Sequence, residues 1–209
     1  MTYHYKNITI LNKTSLTKGE LHKIIDFTRP DEIKHTAFNL LIVYQDNYRK
    51  TIRELGLEKP YKLRRIYPIS GCCTTNWKKV NKRWVYRPIV IITIERNFYP
   101  MNIKGNIEKG YLPYTVDTPA EDVIKVMTHE FMHIVHNKNP VGWEAYDEKT
   151  YDRLIESSCD RYALAKLIEW RQNLRRILKR GNHSMFMILL KSGIRDCMTS
   201  IGNVWRMKK

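Results

Sequence analysis

The tightest constraint on this chain is the pentapeptide His129-Glu130-Phe131-Met132-His133, set inside a run that reads as one amphipathic helix. At i and i+4 two side chains leave neighbouring turns on the same side of a helix, so both imidazoles can offer a ring nitrogen to one divalent cation. Glu130 then lies beside the metal without binding it. A carboxylate in that place can take a proton from a water acidified by the metal, which is the chemistry of hydrolytic zinc sites. The flanking sequence supports the helix. Thr118 is a good N-cap, Pro119 suits the first helical position and Glu121 completes a Thr-x-x-Glu capping box. Val123, Met127, Phe131 and Ile134 form the apolar stripe, widened by Val126 and Val135, so a helix is expected from about 118 to 137.

Such a site takes three protein ligands and leaves a fourth position for water or substrate. A second helical pattern supplies a candidate in Ile155-Glu156-Ser157-Ser158-Cys159-Asp160, where Glu156 and Asp160 stand at i and i+4, followed by Ala163 and Leu167. Glu156 is the expected third ligand. Asp160 is placed to accept the outer N–H of a ligating histidine, fixing its tautomer and raising its basicity. The bland reading of the same two acids is a solvated helix face. His136 lies one turn beyond His133. As a fourth ligand it would close the open site, so a structural or outer role is expected.

HEFMH followed by ESSCD resembles the gluzincin metallopeptidases, in which one helix bears HExxH and a second bears Glu-x-x-x-Asp. Among compact members, the stretch HEFMHIVH followed by ESSCDRYALAKL is similar to the ImmA/IrrE-type peptidases, with the minigluzincins as a related comparison. The resemblance covers about 50 residues, Thr118 to Leu167. It implies Zn²⁺ ligands His129, His133 and Glu156, a general base at Glu130 and an outer partner at Asp160. SprT-like proteases take a third histidine and often add a zinc ribbon. This chain has no histidine between His136 and His183 and no CxxC pair.

The expected fold is α+β and zincin-like: a small, mostly antiparallel sheet packed on the HExxH helix and on a second helix bearing Glu156, with further helices at both ends. A single domain is expected, with an N-terminal helical region at 1–60, the sheet and catalytic helices at 61–167 and a basic helical extension at 168–209. At 209 residues the chain is long enough to bury a real core. Thr17-Lys18-Gly19-Glu20 reads as a capping box for a short helix reaching Phe27. Ile33, Ala37, Leu41, Tyr44, Tyr48, Ile52 and Leu55 recur at helical spacing, predicting one helix ended by Gly56, against a competing strand at Leu40 to Tyr44. Tyr5 to Leu11, Lys62 to Ile69, Cys72 to Val80 and Trp84 to Glu95 read as strands. Pro88 cannot donate to a ladder, so its part of the last strand is expected at an edge or a bulge, where a substrate backbone can pair. Core sheet is the equal alternative. The stretch from Asn97 to Val116, with Gly105, Gly110, Pro100 and Pro113, shows no element of its own and is placed to frame the cleft. Beyond Glu156 the helix is expected to reach about Lys179, followed by another from Ser184 to Thr199 whose methionines read as core filler.

No apolar run approaches the roughly 20 residues of a membrane span, the longest being Met185 to Leu190, and the start lacks a secretory core, so a cytoplasmic protein is expected. Four cysteines, with Cys72 and Cys73 adjacent, fit buried thiols; a second metal site at that pair is the weaker alternative. The net charge of +16 is unevenly spread. Residues 1–116 carry 21 basic against 9 acidic groups, 117–160 carry 4 against 10, and 165–209 carry 11 against 2. An acidic island holding the candidate site is thus flanked by basic segments, which attract polyanions or acidic proteins unless they are merely solvated. The leading expectation is a zinc-dependent endopeptidase acting on a protein or peptide substrate. The second is a nucleic-acid-associated protein that keeps the framework without turnover, and the third is zinc hydrolysis of a non-peptide bond. The oxyanion donor is open among His183, Tyr146 and Tyr151.

Overall fold

A computed structural model describes residues 2–57, 71–80, 83–96, 99–138 and 147–179. Within them the chain is α+β, with a mixed five-stranded sheet, a two-stranded hairpin and four α-helices. The elements are β1 (Thr2–Tyr5), β2 (Ile8–Lys13), α1 (Lys18–Thr28), β3 (Phe38–Tyr44), α2 (Tyr48–Glu54), β4 (Gly71–Val80), β5 (Arg83–Ile94), β6 (Met101–Ile103), β7 (Tyr114–Val116), α3 (Pro119–Lys138) and α4 (Glu148–Lys179). The expected strand at Lys62 to Ile69 and the expected helix at Ser184 to Thr199 lie outside the described residues.

The sheet runs in the order β1-β2-β3-β5-β4. β1 and β2 form a hairpin, as do β4 and β5, but β2, β3 and β5 are parallel neighbours, so the sheet is mixed rather than mostly antiparallel. The cause lies in β3 and β5. A strand covered on both faces reads as an unbroken apolar run, and Leu40-Leu41-Ile42-Val43 and Ile89-Val90-Ile91-Ile92 are such runs. Their alternate side chains divide between two cores. Leu40, Ile42, Val90 and Ile92 join Ile8 and Ile10 against Leu21 and Ile24 of α1 and Val123, Met127 and Phe131 of α3. Leu41, Val43, Ile89 and Ile91 meet Tyr48 and Ile52 of α2 on the other face.

These placements correct the reading of residues 33–55 as one helix. Any continuous apolar run also satisfies helical spacing, and here the strand alternative wins, with α2 beginning only at Tyr48. For the same reason the region 1–60 is not a helical region: its described part holds three strands beside two α-helices and two short 3-10 turns. The strand expected at Tyr5 to Leu11 is likewise broken by the β1–β2 turn, where Lys6 takes φ 52°. The short helix after Thr17 forms as its capping box requires: Glu20 N donates to Thr17 Oγ1 at 3.2 Å and Thr17 N to Glu20 Oε2 at 2.7 Å.

β5 is internal, and the edge beside α3 belongs to β4. Pro88 pairs with Thr75 of β4 and comes just before the first β3 partner, Asn39↔Ile89, so the β3 ladder never requires its missing N–H. Residues 101–116 do contain structure: β6 and β7 pair with each other, and an Asn106↔Tyr111 bridge closes the loop between them. Among the described residues no helix is long and apolar enough to cross a membrane.

Candidate metal centre

Helix α3 starts where its caps predict. Glu121 N donates to Thr118 Oγ1 at 3.2 Å, although the Glu121 carboxylate reaches Asp117 N at 2.8 Å instead of the cap residue's own N–H. It is also held by Arg171 of α4, whose Nε and Nη2 donate to it at 2.9 and 2.6 Å, a bidentate clamp between the two helices. Phe131 and Met127 anchor one face of α3 in the core, which turns the face bearing His129 and His133 toward α4.

There the three expected ligands meet. His129 Nε2 lies 3.0 Å from Glu156 Oε2, His133 Nε2 lies 3.5 Å from Glu156 Oε1, and the two Nε2 atoms are 3.1 Å apart. One donor atom from each of His129, His133 and Glu156 falls within 4.8 Å of the others, a group that could hold a metal ion. The outer nitrogens are directed elsewhere, which is the test of fit. His129 Nδ1 faces Asp160 Oδ1 at 3.4 Å, close but without a completed hydrogen bond, and His133 Nδ1 faces Cys159 Sγ at 3.9 Å. Two imidazoles with Nε2 turned inward and outer nitrogens facing other groups, plus one carboxylate, make a donor set that could hold a divalent metal ion.

The electrostatics follow from burial and close packing. Burial opposes a charge on His129, but contacts with Asp160 and Glu156 outweigh it and push its pKa up to about 9. Burial alone would raise Glu156; the two histidines overcome it and hold the carboxyl well below its usual range. Glu130, one residue from His129 and almost fully buried, is lifted above the ordinary carboxyl range by desolvation, against the pull of His133 and His129. Asp160 is fully buried. Its Oδ1 pairs with Lys125 Nζ and its Oδ2 accepts the Leu112 N–H at 2.7 Å.

These groups open into a cleft of about 650 Å³, lined by Gly71, Cys72 and Cys73 of β4, by Ile103 to Gly105, Tyr111, Leu112 and Tyr114 on the outer wall, and by His129, Glu130, His133, Asn137 and Glu156. Gly71 matters here. A Cβ at that position would lie 2.5 Å from Val126 Cγ1 and 2.8 Å from Glu130 Oε1, so only glycine lets the edge strand pass against the glutamate.

All five site residues expected from the sequence are therefore neighbours, with Asp160 behind His129. His136 stands outside the group of three and is half-buried, its Nε2 without a hydrogen-bond partner among the described residues. Tyr151 is buried at the start of α4 and does not line the cleft; Tyr146 and His183 lie outside the described residues. Cys72 and Cys73 are free, half-buried thiols that line the cleft and take no part in the metal-binding group; burial pushes Cys72 up to about 12. Lys125, Tyr111 and Gly71 escaped the sequence reading. Lys125 had a signal, because positions 125, 129 and 133 share one helix face; Tyr111 and Gly71 reach the site only through tertiary packing. Comparison of the chain with protein-family models, curated proteins and solved structures finds no match.

Proposed function

We propose that the chain is a zinc-dependent endopeptidase of gluzincin type, with His129, His133 and Glu156 as zinc ligands and Glu130 as general base. The observation that carries this reading is the convergence of the two Nε2 atoms and the Glu156 carboxylate at the floor of an open cleft, with a second carboxylate-bearing residue, Glu130, beside them. Zinc at these donors would supply Lewis acidity to a water and to a substrate carbonyl.

The protein's own groups do the remaining work. Glu130, its basicity raised by burial, takes a proton from the attacking water and returns it to the leaving amine. Asp160 holds the His129 ring in one orientation through Nδ1. The β4 edge at Gly71 to Cys73 offers backbone groups on which an extended peptide can lie, bringing its scissile carbonyl over the floor of the cleft.

The deciding experiment incubates the zinc-loaded protein with a broad peptide library and reads cleavage by mass spectrometry. Turnover by the wild type is expected, and its loss in Glu130→Gln at unchanged zinc content. Arg161, Arg175 and Arg176 stand exposed on α4. Absence of turnover combined with tight, salt-sensitive DNA binding would favour the nucleic-acid-associated reading instead.

A further inference from the structure

The segment between β6 and β7 touches the metal centre at consecutive residues. Gly110, with φ 88°, presses its backbone onto α4: a Cβ there would lie 2.7 Å from Arg153 O, 2.8 Å from Ser157 N and 3.2 Å from Glu156 Cβ. No other residue type meets both the left-handed conformation and that approach without strain. Tyr111 follows, tied to Asn106 by reciprocal backbone hydrogen bonds of 2.9 Å. Next, Leu112 N–H is fixed on Asp160 one helical turn beyond Glu156. Held on both sides, Tyr111 has little choice of place. Its ring lies 6.0 Å from the His129 ring at an interplanar angle of 28°, its hydroxyl neighbours the Glu156 carboxylate, and both residues line the cleft.

We infer that Tyr111 is a positioning residue of the metal centre, its hydroxyl orienting the Glu156 carboxylate while its ring backs the His129 imidazole. The inference rests on the metal-centre reading above. A lone glutamate projecting from a helix has rotamer freedom that must be lost before it can ligate, and a fixed donor on its carboxylate removes that freedom in advance. His129 already has Asp160 as its outer partner, and His133 has Cys159. Tyr111 gives the third ligand one as well, delivered from a wall that the two ligand helices do not contain.

The test is Tyr111→Phe, which keeps the ring and removes one hydroxyl. Zn²⁺ affinity is read by competition with a chelating dye, and ligand geometry by the visible spectrum of the Co²⁺-loaded protein. A loss of roughly 10 to 100-fold in affinity, the range for outer partners of metal ligands, is expected together with a changed Co²⁺ spectrum. Gly110→Ala, which leaves the tyrosine intact but lifts it from α4, is expected to weaken Zn²⁺ in the same direction. Wild-type affinity and an unchanged spectrum in Tyr111→Phe would overturn the inference. So would unchanged affinity with a fall in kcat, which would place the hydroxyl on the substrate. Metal affinity is measured without substrate, so failure here is separable from failure of the peptidase reading.

Discussion

Lys125 and Asp160 form an ion pair shut away from solvent, their side chains 6% and 0% exposed. The same Asp160 carboxylate faces His129 and holds Leu112, so one buried charge backs a proposed metal ligand and the cleft wall together. Removing one partner of such a pair strands the other. Lys125→Met is expected to destabilise the protein by about 3–5 kcal/mol in urea denaturation, and adding Asp160→Asn to recover most of that loss. A simple sum of the two single effects would show that the pair is not coupled.

The metal centre predicts a graded response among its residues. His129→Ala and Glu156→Ala remove donor atoms and are expected to abolish stoichiometric Zn²⁺ binding. Asp160→Asn keeps all three donors and is expected to weaken it by about 10 to 100-fold. Metal analysis after equilibrium dialysis distinguishes these, and equal retention of zinc by all three variants would rule out this ligand set.

Gly71 gives a test that changes no functional group. Alanine there drives a methyl against Val126 and the Glu130 carboxylate. Zinc content is expected to persist while turnover falls by on the order of 100-fold, because an ångström of misplacement at a reacting group has that scale of effect. Full peptidase activity in Gly71→Ala would mean that Glu130 is not held by the edge strand.

Asp122, in the first turn of α3, supplies a pH prediction remote from the metal ligands. Burial raises its pKa from 3.8 to about 6, despite the Tyr99 hydroxyl that donates to it at 2.8 Å. The folded form therefore holds its proton more tightly than the unfolded form, and stability falls as pH rises from about 4 to about 6, then levels off. That difference corresponds to roughly 3 kcal/mol. In thermal melts, Asp122→Asn is expected to gain on the wild type across that pH interval. A difference independent of pH would show that Asp122 ionises freely.

Legibility from sequence differed by element. α3 and the Glu156 helix were readable because their caps, stripe and i, i+4 ligand pairs are local facts of a helix, independent of what packs against it. β3 was misassigned because Phe38 to Tyr44 is apolar on both faces, and only two-sided burial in a parallel sheet explains a run that also matches helical spacing. The 101–116 wall gave no periodic signal at all, since it is held by side chains and backbone groups of α3 and α4.

By itself, then, the order of residues determined the two helices that carry the candidate site and which atoms each could offer, because helical geometry converts spacing directly into direction. Only the tertiary structure decided that those atoms face one another, that β4 rather than β5 runs along the site, and that Gly71, Lys125 and Tyr111 complete it. Those relations depend on which surfaces are buried together, and packing joins residues that are remote in the chain.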